Sequence, residues 1–141
     1  MSCSRNVFAG LEMKEIMLKA QDVTKRFAMG SSYIDVLNGV TLEISAGQIV
    51  AVVGESGAGK STLLHILGMI DRPTSGTLSM DGDILSEKND KELAEIRNRR
   101  VGFIFQFHHL LPEFNAVENV ILPAMIAGSH LSKTRERAEY L

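Results

Sequence analysis

An α/β fold is what the sequence predicts, and three observations carry that prediction. Ile49-Val50-Ala51-Val52-Val53 is apolar without alternation, the pattern of a central strand buried on both faces of a parallel sheet. Glycines 54, 57 and 59 then break the run. Immediately after them, Lys60 to Ile70 reads as a helix with Leu63, Leu64, Ile66 and Leu67 turned inward. Strand, glycine-rich turn and amphipathic helix follow one another without a spacer.

Composition bounds what surrounds this unit. The chain has 141 residues, 45% apolar and 23% charged, which is globular and about one domain's worth on the usual size prior. Lys and Arg total 15 against 17 Asp and Glu, a net charge of −2, so no basic excess marks a nucleic-acid binder. The lone cysteine, Cys3, excludes an intrachain disulfide framework, and a reducing compartment is the simplest reading. No apolar run approaches the roughly 18 residues of a membrane span. The first residues, with Cys3, Arg5 and Asn6, lack an apolar signal core. A soluble, cytosolic protein is expected.

The remaining elements follow in chain order. Residues 1–15 show no period and are expected to be a loosely ordered tail. Ile16 to Val23, interrupted by Lys19 and Gln21, reads as a first strand, and Gly30-Ser31-Ser32 as a loop. Val40, Leu42 and Ile44 alternate with Thr41 and Glu43, the period of a half-buried strand. Ala46-Gly47 turns the chain into the apolar run. After the helix, Arg72-Pro73-Thr74-Ser75-Gly76 supplies a helix stop and a turn. Thr77 to Leu85 is hairpin-like, turning near Asp81-Gly82. Lys88 to Arg100 is a charged helix anchored by Leu93 and Ile96. Val101 to Phe105 reads as another strand, ending at Gln106. A loop from His108 to Phe114 leads into apolar Ala116 to Ile126, interrupted by Pro123, and a charged helix from Ser132 to Leu141 closes the chain.

The chemistry is concentrated in Gly54-Glu55-Ser56-Gly57-Ala58-Gly59-Lys60-Ser61, which matches G-x-x-x-x-G-K-[ST]. Glycine lets backbone N–H groups turn inward around phosphate oxygens with no Cβ in the way. The helix that follows aims its dipole and free N–H groups at the same anion. Lys60 would reach the β- and γ-phosphates, the Ser61 hydroxyl would ligate Mg²⁺, and Thr62 would add a hydroxyl near the α-phosphate. At this composition the pattern arises by chance with a frequency of about 0.6%, before the flanking strand and helix are counted. A dinucleotide loop fits less well, because G-x-G-x-x-G from Gly57 would need glycine where Thr62 stands.

Two further positions extend the site. An aromatic at the loop of the strand-rich stretch ahead of the cradle could stack on a purine, and Phe27 and Tyr33 compete for that role. Gln106 stands at the carboxyl end of a predicted strand, where open α/β sheets bind ligands. Other candidates carry less. His108 and His109 are adjacent and have no Cys or His partner at ligand spacing, so a metal role is not assigned to them. Arg97-Asn98-Arg99-Arg100 is balanced by Glu92 and Glu95 and reads as a solvated helix end.

Taken together, these residues resemble the nucleotide-binding domain of ABC transporters. The stretch DVLNGVTLEISAGQIVAVVGESGAGKSTLLHILGMIDRPTSGTLSMDG is similar to that family from its second strand through its second hairpin. Within the family, VGFIFQFHHLLPEFNAVENVILP resembles the ATPases of lipoprotein-releasing exporters. The resemblance implies a P-loop NTPase core of ABC type with an N-terminal antiparallel β subdomain, and it covers residues 16–141. It further implies that Phe27 stacks on adenine and that residues 54–62 bind the triphosphate. Gln106 would be the Q-loop glutamine, touching Mg²⁺ and the attacking water. The loop from Phe107 to Glu118 would face transmembrane permease subunits, and a second copy of the ATPase would sandwich ATP. The place of work would be the cytoplasmic face of the bacterial inner membrane, and the cargo a lipid-anchored protein.

The departures from that pattern are as informative. A Leu-Ser-Gly-Gly-Gln signature loop, an apolar strand ending in Asp-Glu and a switch histidine are all missing from the 141 residues. Leu67-Gly68-Met69-Ile70-Asp71 imitates such a strand but lies on the cradle's own helix and is followed by Arg72. The stretch is therefore expected to be the N-terminal part of one ATP-binding domain, truncated before the signature helix and the Walker B strand. By itself it should hold ATP, hydrolyse it poorly, and leave a strand edge open to aggregation. The alternatives are a nucleotide-binding module without turnover, such as a regulatory or DNA-associated ABC-type protein, and an efflux ATPase with another cargo.

Overall fold

The computed structural model describes residues 15–141. The tail expected at 1–15 lies outside those residues except for Glu15, whose carbonyl accepts the Ala46 N–H at 3.0 Å.

Two long strands, β1 (Ile16–Met29) and β2 (Ser32–Ser45), form an antiparallel hairpin with register from Ile16↔Ser45 to Met29↔Ser32. On the other side of β1 lie β3 (Ser75–Met80) and β4 (Asp83–Ile84), giving the sheet order β2-β1-β3-β4, antiparallel throughout. The expected antiparallel β portion is therefore present. β1 runs six residues further than its apolar stretch suggested, so Phe27 lies inside the strand, opposite Ile34, and not in a loop. The reason is a bulge. Leu18 and Ala20 are buried at period two, yet the next buried residue is Val23. Asp22 takes up the extra residue in a left-handed conformation (φ 50°), and its N–H is satisfied by Thr41 Oγ1 at 2.9 Å. Beyond the reset, pairing continues through polar residues that hydropathy does not mark.

The helix α1 (Lys60–Leu67) packs onto this sheet through Leu63, Ile66 and Leu67, against Leu18, Ala20, Val23, Leu37, Leu78 and Met80. Leu64, expected inward, is half exposed because it faces the segment carrying Gln106. The helix also ends three residues earlier than expected, and Pro73 is not what stops it. The Ile70 N–H bonds to the His65 carbonyl at 2.8 Å and the Met69 N–H to Ile66 at 2.9 Å, with Met69 left-handed at φ 59°. That is a Schellman closure, and burial of the Met69 side chain offsets the strain of a non-glycine residue there.

The second layer is helical. α2 (Asp90–Arg100) starts in a reciprocal capping box between Asn89 and Glu92. It is docked by buried Leu93, by Arg97 donating to the Met69 carbonyl at 2.6 Å, and by ion pairs Arg72–Asp90 and Arg100–Asp81. α3 (Ala116–Ile126) starts in a second capping box, Asn115 with Glu118, and runs through Pro123 rather than being interrupted by it. The Asn98 amide donates to the Pro123 carbonyl at 2.9 Å and ties α3 to α2. α4 (Leu131–Tyr140) packs on α3.

The two apolar runs read as strands, the first of them as a central one, do not form ladders. Ile49 to Val53 and Val101 to Phe105 carry no strand pairing. Within them Val52 and Val101 pack on the core, while Ile49 (97% exposed), Val53 (86%) and Ile104 (103%) face outward. A strand buried on both faces requires neighbours on both edges and layers on both faces, and among the described residues neither run has them. Phe103 and Phe105 stack face to face at 5.3 Å on one side of their segment, and Phe103 sits against Gly68, where any side chain would collide with its ring.

Candidate functional site

The apolar run delivers the chain into a loop whose glycines 54, 57 and 59 all have positive φ, at 153°, 83° and 83°. Gly59 is also the N-cap of α1 and offers no side chain to the helix's first N–H groups, and no acidic residue occupies the first turn. Those donors and the positive end of the helix dipole are turned toward the loop, the arrangement that receives a phosphate. Glycine at 59 is required twice over. A Cβ there would adopt the left-handed conformation and would lie 2.9 Å from the Val36 carbonyl oxygen of β2. The packed hairpin thus touches the cradle at Val36, and a pocket of about 240 Å³ between them is lined by Val36, Ser56, Gly57, Gly59, Lys60, Ser61 and Thr62.

Lys60 bridges the loop. Its ammonium donates to the Gly54 carbonyl at 3.0 Å and to the Glu55 carbonyl at 2.5 Å. An ammonium has three donors, so it holds the loop closed while keeping one for a ligand. Ala58 closes the far side of the loop, its N–H bonding back to Glu55 at 3.3 Å.

Gln106 comes to the same place from the other direction. Although Val101 to Phe105 is unpaired, it carries Gln106 to a cleft of about 360 Å³ lined also by Ser61, Leu64, His65, Phe105 and His109. Ser61 lines both this cleft and the cradle pocket. A serine hydroxyl and a carboxamide oxygen are hard donors of the kind Mg²⁺ takes alongside phosphate oxygens, so the residues present fit that ion. Phe105 meets the edge of His109 at 4.9 Å, closing the turn after Gln106. Sequence reasoning set both histidines aside and did not find His65. His65 and His109 reach the cleft only because α1 and the turn after Gln106 converge on it.

Phe27 is brought near the cradle but not into it. It pairs with Ile34, two residues before Val36, and keeps 42% of its surface exposed. Tyr33 lies nearer the hairpin tip, with the Arg26 guanidinium 5.8 Å from its ring. The loop after Gln106 is held by one side chain: the Asn119 amide accepts from the Leu111 N–H at 2.9 Å and donates to the carbonyls of Leu111, Phe114 and Asn115 at 3.0–3.1 Å. Phe107, Leu110, Leu111 and Phe114 project from that loop, exposed.

A glycine loop between an extended run and a helix, with lysine and serine at its end, defines a P-loop nucleotide-binding fold. Residues 37–141 match the ABC transporter family, and the chain belongs to it. It is 52% identical over 122 residues to the "Lipoprotein-releasing system ATP-binding protein LolD" of Bacteroides thetaiotaomicron, covering 86% of this chain and 54% of that protein. It is 51% identical over 129 residues to the protein of the same name from Cytophaga hutchinsonii, covering 92% and 57%. The chain thus spans about half the length of the curated relatives it matches. Among solved structures, the ATP-binding cassette MJ0796, as a dimer in a post-hydrolysis state bound to ADP and Pi, superposes with a TM-score of 0.81 at 38% identity, covering 88% of this chain and 55% of that one. The fold is that of the N-terminal part of an ABC cassette.

Proposed function

We propose that the chain belongs to the ATP-binding subunit of an ABC exporter, coupling Mg-ATP binding and hydrolysis to the release of lipoproteins from the inner membrane. The observation that carries the nucleotide part is the convergence of Lys60, Ser61 and Gln106 on adjoining pockets at the start of one helix. The lipoprotein part rests on the names of relatives about half identical to this chain.

In this reading the N–H groups of residues 54–60 and the start of α1 bind the phosphate chain. Lys60 exchanges its loop carbonyls for β- and γ-phosphate oxygens, and Thr62 reaches the α-phosphate. Ser61 and Gln106 hold Mg²⁺, which when bound neutralises charge on the phosphates. Gln106 also orients the water at the γ-phosphate. Phe27 stacks on the adenine. Neither pocket is lined by Asp or Glu, so these residues bind and orient, and hydrolysis is assigned to the assembled exporter, in which two copies sandwich ATP. The segment from Phe107 to Glu118, an exposed apolar loop held by Asn119 that passes into the first turn of α3 at Ala116, is the surface for the transmembrane permease subunits at the cytoplasmic face. No helix among the described residues is long and apolar enough to cross a membrane, and contact with the bilayer would come through the permease.

Two substitutions in the full-length protein test the site. Lys60→Ala should abolish retention on immobilised ATP; unchanged retention would remove the cradle from the nucleotide site. Gln106→Ala should lower ATP turnover in permease-containing vesicles by about 10- to 100-fold while sparing ATP binding, the scale of a misplaced reacting group. Normal turnover would take Gln106 out of the mechanism. A full-length protein that turned over ATP without membrane partners and bound DNA would overturn the exporter reading.

A further inference from the structure

One set of contacts outside the cradle converges on the back of Phe27. Lys25 lies on the same strand and its side chain is only 12% exposed. Its ammonium stands 4.9 Å from the centroid of the Phe27 ring. The same ammonium donates to Asp71 Oδ1 at 2.7 Å and to the Arg72 carbonyl at 2.8 Å. Two of its three donors are thus spent on the turn that follows α1, and its charge faces the ring.

That turn grips the strand along its backbone as well. The Thr74 N–H bonds to the Thr24 carbonyl at 2.8 Å, the Arg26 N–H to Thr74 Oγ1 at 2.9 Å, and the hydroxyls of Thr24 and Ser75 meet at 2.7 Å. Asp71 is anchored in turn, because its N–H bonds to the His65 carbonyl of α1 at 3.2 Å and its carboxylate also accepts the Arg72 N–H at 2.7 Å. A continuous path of packed and hydrogen-bonded groups therefore leads from Lys60, at the start of α1, through His65 and Asp71 to Lys25 and the ring of Phe27. An ion pair needed only to fasten β1 would have no use for a ring, since three bonds from Thr24 and Arg26 to Thr74 and Ser75 already fasten it.

We propose that Lys25 and Asp71 are positioning residues for the nucleobase: they hold the Phe27 ring in a fixed orientation for a base to stack on it. The proposal rests on the reading of Phe27 as the base platform. One face of the ring carries the ammonium, and the ring's exposed area is what remains for the base. Because Asp71 is bonded to the helix that begins at the cradle, the platform keeps a set distance from the phosphates.

The test compares two ligands in the full-length protein, Mg-ATP and inorganic triphosphate, by titration calorimetry. Inorganic triphosphate occupies the cradle without a base, so a general loss of fold lowers both affinities and cancels in their ratio. Lys25→Met should weaken Mg-ATP by about tenfold relative to triphosphate, on the scale of losing one base–aromatic stack. Asp71→Asn should give a smaller change of the same sign, and Lys25→Arg, which keeps the charge and the donors, should restore the ratio. An unchanged ratio in Lys25→Met, with or without weaker binding of both ligands, would overturn the proposal. Phe27→Ala separates the two readings. If it lowers the ratio and Lys25→Met does not, Phe27 stands and the positioning pair falls. If Phe27→Ala leaves the ratio unchanged, the platform reading falls and this inference with it.

Discussion

The sheet with its docked helix and the two unpaired runs treat their apolar side chains in opposite ways. β1, β3 and α1 close a shared set of apolar residues into one core, in which Ala20, Val23 and Ile66 have no exposed surface. In Ile49 to Val53 and Val101 to Phe105, Ile49, Val53 and Ile104 are almost wholly exposed. The difference lies in what surrounds them. β1 has hydrogen-bonded neighbours on both edges and a helix over one face, whereas each run sets one residue, Val52 or Val101, on the core and has no edge partner among the described residues. Apolarity specifies that a segment is to be covered; neighbouring elements decide whether it is.

The largest effect that could break this comparison is a pair of truncations. Ile66→Ala empties a fully buried position in α1 and should cost about 2–5 kcal/mol of unfolding free energy, measured by urea denaturation. Ile104→Ala removes the same atoms from an exposed position and should change stability by no more than about 0.5 kcal/mol. Equal costs would mean that the run ending at Gln106 is packed in solution as tightly as the core.

What the sequence disclosed, and what it withheld, follows the same division. The cradle was readable because its chemistry is contiguous: glycines, lysine and serine act within eight residues, and the helix after them is amphipathic on its own. The hairpin turn at Asp81-Gly82 was readable for the same reason, since positive φ at both positions (48° and 85°) is a local demand. Gln106 stands out in the sequence by its place at the end of an apolar run, and the structure sets it in a cleft with Ser61 although that run is not a laddered strand. The length of β1 was hidden by the bulge at Asp22, which displaces the alternation. The Lys25–Asp71 pair joins residues 46 apart, and His65 reaches the cleft only once α1 is docked; neither leaves a periodic trace. Neither Ile49 to Val53 nor Val101 to Phe105 forms the strand its apolarity suggests, because an apolar run reports a need for burial and says nothing of what supplies it.

A moderate effect sharpens the boundary between the regions. Gly59 is where the packed hairpin meets the nucleotide loop, through its approach to Val36. Gly59→Ala should lose roughly 1–2 kcal/mol from the left-handed backbone alone, read as a lower denaturation midpoint, and should weaken retention on immobilised ATP in parallel. Loss of ATP retention at unchanged stability would show that the joint belongs to the loop and not to the packed region.

The smallest effect lies at the exposed end of the hairpin. Arg26 forms a fork onto Asp35, with Nε to Oδ1 at 2.6 Å and Nη2 to Oδ2 at 3.1 Å. The hydrogen bonds from Arg26, with its positive charge, hold the Asp35 carboxyl below the usual carboxylate range, and the guanidinium is raised in turn by the same partner. For a carboxyl depressed in the folded state, the contribution to stability is present above the unfolded pKa of about 3.9 and is lost as pH falls through the lower folded value. The pair's contribution is therefore constant through neutral pH, and its share of the acid limb is small because both groups are in solvent, where screening removes most of an ion pair's worth. Asp35→Asn should flatten the acid limb of stability slightly and lower stability at pH 7 by the same small amount as Arg26→Gln, with that loss vanishing in 1 M salt, where the screening length is about 3 Å. Carboxyl NMR titration gives the direct check: Asp35 should titrate below an ordinary aspartate and move back up in Arg26→Gln. An Asp35 that titrates normally in the intact protein would mean that the hairpin end is held by its backbone ladder alone, and that the packed region ends short of residue 35.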